Sequence, residues 1–207
     1  MYWIGIMGVS IVEKPRETGE VMRTLKNGLP DVMRRMSVVM SNEIIGAINR
    51  GVPPPNAPLT VEVKGGTKTL RDNGELMASI AAHSGTDWAS AGTNKKQAKV
   101  LQHGDVIMAK GKGLWLPANA NTRRLYRNYN AQSPGALIAA MQGDGYSFFR
   151  TGKVFCARKK NGSPFAVFII KKQVTIPARP FVKITEGARK AIKKIWGDAV
   201  KTVLSKK

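Results

Sequence analysis

Residues 51–80 read GVPPPNAPLTVEVKGGTKTLRDNGELMASI and break the regular structure of the chain more strongly than any other segment. Gly51 favours the end of a preceding helix, and the three prolines that begin at Pro53 prevent that helix from resuming. Each residue before a proline is pushed out of the helical region, so residues 53–58 are predicted to be extended. A helix must therefore end near residue 50.

The second half of this stretch carries turn and cap signals. Residues 59–64 alternate like a strand, and the glycine pair after them predicts a turn. Asp72 or Asn73 is a candidate N-cap for a single helical turn that carries Leu76 inward, and Gly74 suits a tight approach of the backbone. A turn, a cap and a packed leucine account for the stretch without any catalytic chemistry.

A long helix on each side of the centre is predicted from apolar periodicity. The first is expected to run from about Pro30 to residue 50, after a looser polar helix over residues 13–26 that ends at Asn27 and Gly28. The second is expected over residues 184–204, with Thr185 as a candidate cap. The apolar stripes contain Val32, Met36, Val39, Met40, Ile44 and Ile48 in the first helix, and Ile184, Ala188, Ala191, Ile192, Ile195, Ala199, Val203 and Leu204 in the second.

Strand signals occupy the region between the helices. Two short strands are predicted at residues 78–82 and 88–91, and a hairpin joins residues 153–159 to 165–174 around Asn161 and Gly162. Residues 105–150 fit no regular pattern apart from a short helix at 134–142 capped by Ser133, so we expect a projecting loop. The sequence thus predicts one α+β domain over residues 1–207, in which the two helices pack on an antiparallel sheet and 105–150 is an insertion.

The charge is strongly basic. The chain has 34 Lys and Arg against 13 Asp and Glu, a formal net charge of +21. Such a balance is typical of proteins with a polyanionic partner, although a solvated basic surface that only keeps the protein soluble is the alternative. Arg123, Arg124 and Arg127, with Tyr126 and Tyr129 between and after them, offer charge together with stacking surfaces. Arg189, Lys190, Lys193 and Lys194 on the last predicted helix offer contacts to phosphates.

The sequence predicts no enzyme, no cofactor and no metal site. The only cysteine, Cys156, excludes an internal disulfide and a cysteine-based zinc site, and it is expected to be a small buried hydrophobe. The spacing of His83 and His103 does not suit a zinc site. The glycines of residues 110–113 lack the spacing of a P-loop. No apolar run reaches the length of a membrane span, so no membrane partner is expected.

Two segments resemble the bacteriophage virion-morphogenesis and tail-completion proteins, which build the neck between capsid and tail. In that family a Gly-hydrophobic-Pro-Pro run, a Pro-x-Thr, a lysine and Leu-x-Asp-Thr-Gly-x-Leu-x-x-Ser-Ile follow one another, and here Asn73 replaces the threonine. The resemblance allows a short helix or a loop over residues 59–64 in place of a strand. A weaker likeness covers residues 87–104, where a short helix is expected. A second hallmark, Ile-Pro-Ala-Arg-Pro-Phe, precedes the last helix. The matching residues are Pro54, Pro58, Thr60, Leu70, Asp72, Gly74, Leu76 and Ser79 in the first segment, and Pro177, Arg179, Pro180 and Phe181 in the second.

The resemblance implies a structural virion protein without enzymatic activity. Such proteins form rings, usually six-fold, so the chain is expected to bind copies of itself, most simply as a hexamer, and to contact neighbouring neck, tail-tube and terminator proteins. It would be assembled in the host bacterial cytoplasm and end in the virion, where basic residues face the DNA that passes through. The alternative function is non-specific binding of nucleic acid, for which the net charge is the main argument.

Overall fold

A computed structural model of the protein describes residues 2–6 and 19–205. The elements in chain order are β1 (Tyr2–Ile6), α1 (Gly19–Arg50), α2 (Pro58–Lys64), α3 (Glu75–Ala78), β2 (Ala81–Ser84), β3 (Ala89–Thr93), α4 (Gln97–His103), β4 (Asp105–Met108), β5 (Leu114–Pro117), α5 (Ala120–Asn128), α6 (Pro134–Gly143), β6 (Tyr146–Thr151), β7 (Val154–Lys159), β8 (Phe165–Lys171), β9 (Gln173–Ile176) and α7 (Glu186–Leu204). This order confirms the α+β class, with its long helix in the first half and its C-terminal helix.

The elements fall into two compact units, where the sequence led us to expect one domain. The first unit holds residues 1–53, 73–103 and 178–207, and the second holds residues 54–72 and 104–177. In the first unit β1, β3 and β2 form an antiparallel sheet in that order, α1 packs on β2 and β3, and α7 packs on α1. The core side of α1 is wholly or almost wholly buried and includes Val32, Met36, Met40, Ile44 and Ile48.

Helix α1 begins earlier than predicted. It runs through Pro30 from Gly19, so the break expected at residues 28–30 is wrong. A proline inside a helix removes one N–H hydrogen bond and crowds the carbonyl four residues earlier. Here Pro30 is exposed, while Leu29 before it and Val32 after it are buried. The burial of these flanking side chains keeps the helix continuous. Residues 13–18 of the expected polar helix lie outside the described part of the chain.

The second unit contains a four-stranded antiparallel sheet in the order β5, β8, β7, β6 and a two-stranded ribbon of β4 and β9. Helices α5 and α6 supply Leu137, Met141 and Tyr126 to a core that also contains Val167 and Phe168 of β8. The prediction of a projecting loop over residues 105–150 is therefore wrong, because this region contributes three strands and two helices. The pairing partners of β4 and β5 lie far along the chain, which is why local patterns missed these two strands.

Several local predictions are confirmed. Thr185 caps α7 and Ser133 caps α6, each by accepting a hydrogen bond from the N–H three residues later. The hairpin of β7 and β8 forms, with Asn161 at φ 64° in its turn.

Residues 59–64 form helix α2 instead of the strand-like segment, which is the alternative that the resemblance allowed. Cys156 is only partly buried, so the expectation of a buried cysteine is wrong.

Candidate functional site

Asp72 makes an ion pair instead of capping a helix. Both of its carboxylate oxygens accept hydrogen bonds from the guanidinium of Arg123, each at 2.9 Å. The N-cap of α3 is Gly74 at φ 82°, and no side chain caps this helix, so the prediction that Asp72 or Asn73 caps it is wrong. A Cβ on Gly74 would meet nothing within 4 Å, so the backbone angle requires glycine there and no close approach does.

The residues before Asp72 shape the surface of the second unit. Pro54, Pro58 and Thr60 are exposed, and Pro58 opens α2 where a missing N–H costs nothing. Leu70 has φ 58°, a left-handed conformation that costs roughly 1–2 kcal/mol for a residue with a side chain. Nearby, the Asn56 amide donates to the carbonyl oxygens of residues 67 and 68 at 3.0 and 3.1 Å. These two hydrogen bonds fix the segment before α2 to the chain that follows it.

The end of the first resemblance segment belongs to the first unit. Leu76 is buried, with 6% of its surface exposed. The hydroxyl of Ser79 lies 2.7 Å from that of Thr93 at the end of β3, and Lys95 forms an ion pair with Glu75 at 3.2 Å. Polar contacts therefore join this segment to β3 and to Lys95 just after β3, and Leu76 of the segment is packed in the interior.

The second resemblance segment is bound to α4. The N–H of Arg179 donates to the carbonyl oxygen of Leu101 at 2.7 Å. The Gln102 side chain holds both backbone groups of Val182, accepting from its N–H at 3.0 Å and donating to its carbonyl at 3.3 Å. The side chain of Arg179 is buried, which lowers the pKa of its guanidinium.

The remaining residues of this segment divide between interior and surface. Phe181 is completely buried, while Pro177 is half-buried and Pro180 is exposed. The expected short helix over 97–104 is confirmed as α4, so the weaker part of the resemblance and its second hallmark meet in one hydrogen-bonded contact. The resemblance residues of the first unit thus share a packing role.

The arginine cluster on α5 is less available than predicted. Arg123 is held by Asp72, and Tyr126 packs edge-on against Phe168, where burial raises the pKa of its phenol. Tyr129 donates to the Asp144 carboxylate at 2.6 Å, and this hydrogen bond raises the pKa of Tyr129 to about 12. The tyrosines are therefore engaged in the second unit's own contacts, which corrects the hypothesis that they offer stacking surfaces. Exposed cations remain at Arg124 and Arg127.

The basic face of α7 is on the surface as predicted. Arg189, Lys190, Lys193 and Lys194 are all exposed, and Ala188 beside them is buried. Only two acids, Glu186 and Asp198, lie on this helix. Because charge is concentrated on an exposed helix with few counter-charges, α7 can attract a polyanion without discriminating between sequences.

Two features were missed at the sequence level. Asn119 caps α5, and Thr122 beneath it donates to the carbonyl oxygen of Val167 at 2.9 Å, which ties the helix to β8. The spacing of an Asn three residues before a Thr was an available cap signal. The other is a run of exposed apolar residues on β4, with Val106, Ile107 and Met108 at 48%, 41% and 61% exposure.

Within residues 2–6 and 19–205, no group of three or more His, Cys, Asp or Glu is arranged to hold a metal ion. The helices of this described part are all too short or too polar to cross a membrane. Comparison of the chain with protein-family models, with curated proteins and with solved structures gave no match.

Proposed function

We propose that this protein is a structural component of a tailed-phage virion, a ring at the neck or the top of the tail that completes the tail and joins it to the head. The observation that carries the proposal is the packing of the resemblance residues. Leu76, Ser79, Arg179 and Phe181 are fixed by burial and hydrogen bonds in one unit. Residues of this kind specify a shape, as an assembly protein requires, and perform no reaction.

The candidate surface for contacts between subunits is the ribbon of β4 and β9. Three apolar side chains of β4 face solvent on this ribbon. Phe149 on the edge strand β6 is a second exposed apolar residue, at 39%. A closed ring needs two different patches on each subunit, and the ribbon and the β6 edge are two such patches. We expect a hexamer.

The proposed ring also accounts for the basic surface. Exposed Lys190, Lys193 and Lys194 would lie toward the DNA that passes through the ring and would bind its phosphates loosely enough to let it move. Their reversal to Glu is expected to reduce DNA retention in assembled virions. Unchanged retention and infectivity would remove this part of the proposal.

Electron microscopy of particles from a phage or prophage in which this gene is interrupted tests the proposal. The expected particles are full heads and separate tails that fail to join, restored to joined virions by the intact gene. A gene carrying Met108→Asp should restore joining poorly. Thr86→Asp, a change at another exposed residue between β2 and β3 of the first unit, should restore joining fully. Normal joined virions from the interrupted gene would refute the structural role.

The second candidate function is non-specific nucleic-acid binding, and the exposed basic face of α7 favours it. A salt titration of the purified protein with duplex DNA tests this candidate. The affinity should fall steeply as salt rises. In a plot of the logarithm of the binding constant against the logarithm of the salt concentration, each phosphate contact adds about −0.9 to the slope. Absence of binding at low salt would exclude it.

A further inference from the structure

The antiparallel ladder that joins β4 and β5 to β8 and β9 is interrupted at one place. On one side of the interruption the N–H of Ala109 donates to the carbonyl oxygen of Lys172 at 2.9 Å. On the other side Leu114 lies opposite Lys171. Residues 110–113 therefore stand between two consecutive pairs as a four-residue bulge. Bulges bend a strand and redirect its side chains.

The shape of this bulge is fixed by Gly113. Its φ is 152°, and the side chain of Ile170 occupies the place where a Cβ of residue 113 would lie. A residue with a side chain would have to move Ile170, which is 91% buried with only 9% of its surface exposed. The bulge is thus seated on β8 by a close contact that only glycine allows.

Around the bulge the backbones of five lysines lie near one another. Lys110 and Lys112 are on the bulge, Lys171 ends β8, and Lys172 lies between β8 and β9. The carbonyl oxygen of Lys153 accepts the N–H of Ile170 at 2.7 Å. We call these five residues the lysine junction. All five side chains are exposed, and among the described residues none of the five forms an ion pair.

Acidic residues are scarce in the sequence on both sides of the lysine junction. The sequence has no Asp or Glu between residues 106 and 143 or between 145 and 185. Asp105 begins β4, so roughly 15 Å of extended strand separates it from the bulge at about 3.3 Å per residue. This exceeds the screening length of about 8 Å at physiological salt, so Asp105 offsets little of the charge.

We propose that the lysine junction is a binding site for the phosphodiester backbone of nucleic acid. Five exposed lysines without an ion pair among the described residues, two on the bulge and three on the chain that faces it, match a ligand with closely and regularly spaced negative charges. Duplex DNA carries about one charge per 1.7 Å of its axis. Lysine contacts of this kind position a backbone and read no bases. The inference deepens the second candidate function, nucleic-acid binding, and does not depend on the ring.

The test compares two quadruple variants that remove the same charge. One carries Lys110→Gln, Lys112→Gln, Lys171→Gln and Lys172→Gln in the lysine junction; the matched control carries Lys190→Gln, Lys193→Gln, Lys194→Gln and Lys201→Gln on α7, where all four lysines are exposed. Binding to a labelled mixed-sequence duplex of about 20 base pairs is followed by fluorescence anisotropy between roughly 50 and 200 mM salt.

The junction variant is expected to bind more weakly, with a log–log salt slope shallower by about 3.6, which is four contacts at about 0.9 each. The α7 variant should lose less in both quantities. A variant with Lys→Arg at the same four positions of the lysine junction keeps the charge and should bind like the natural protein. Its binding would show that substitution at these positions does not unfold the protein, so that the loss in the Gln variant comes from lost contacts.

Three outcomes would overturn the inference. Equal losses in the two Gln variants would mean that only the total charge matters. Undiminished binding by the junction variant would place the site elsewhere while leaving nucleic-acid binding in place. Displacement of the duplex by polyglutamate at the same concentration of charge would indicate an acidic protein as the ligand. Failure of the natural protein to bind the duplex would instead refute the candidate function itself.

Discussion

Replacement of Phe181 by alanine should destabilise the first unit severely. The side chain of Phe181 is 0% exposed, and the chain on each side of it is held to α4 through Arg179 and Val182. The segment cannot collapse easily into the space that a deleted ring would leave, because these hydrogen bonds fix its backbone. Both the lost burial and a residual cavity therefore contribute to the expected cost.

The magnitude follows from the buried area. A phenylalanine buries about 150–250 Å², which at about 25 cal/mol per Å² corresponds to roughly 4–6 kcal/mol as an upper limit. Measured Phe→Ala changes in protein cores cost about 3–5 kcal/mol. A domain of this size is typically stable by about 5–15 kcal/mol, so Phe181→Ala should remove a large part of the free energy of unfolding.

Urea unfolding followed by circular dichroism at the helical minimum measures this effect, since α1 and α7 belong to the same unit as Phe181. Lys183→Ala, two residues away and exposed, is the matched control and should change stability by no more than about 0.5 kcal/mol. Phe181→Leu should cost less than half as much as Phe181→Ala because most of the volume remains. Equal unfolding midpoints for Phe181→Ala and Lys183→Ala would refute the reasoning.

Three further outcomes follow from contacts in the second unit. A double-mutant cycle with Asp72→Asn and Arg123→Gln should give a coupling of about 0.5–1 kcal/mol that weakens with salt, because the pair is bidentate but partly exposed; zero coupling at low salt would contradict this. The Tyr129 phenol should titrate near pH 12 by its phenolate absorbance, and Asp144→Asn should move the midpoint back toward 10. Because the pKa of Tyr129 is raised in the folded state, its hydrogen bond contributes its full stability below pH 10, and this contribution is lost as the pH rises toward 12. Titration of Tyr129 together with the other tyrosines would contradict this prediction. Asn161→Gly should keep the hairpin within about 0.5 kcal/mol, whereas Asn161→Val should cost about 1–2 kcal/mol in urea unfolding because φ is 64°; equal stabilities would show that the turn relaxes.

Local chemistry by itself determined several elements of this protein. The glycine and prolines after residue 50 ended α1, Thr185 and Ser133 began α7 and α6, and the turn at Asn161 joined β7 to β8. These signals act over three or four residues, through allowed backbone angles and single hydrogen bonds, so the sequence is sufficient to read them. The exposed basic face of α7 was readable for the same reason.

Only the tertiary structure decided the role of residues whose partners lie far along the chain. Asp72 looked like a cap and is an ion-pair partner of Arg123, because a carboxylate near a helix start serves either purpose and only the fold brings the guanidinium to it. Tyr126 looked like a stacking surface and belongs to the core around Phe168.

The pairing of the strands in the second unit was the feature least predictable from the sequence. β5 pairs with β8 and β4 with β9, although more than 50 residues separate the partners in each pair, and no local pattern reports such pairing. The lysine junction exists because these two ladders differ in register by four residues, and Gly113 packs on Ile170 at that offset. The sequence supplied the positive charge, and the nonlocal pairing of strands decided where that charge is concentrated.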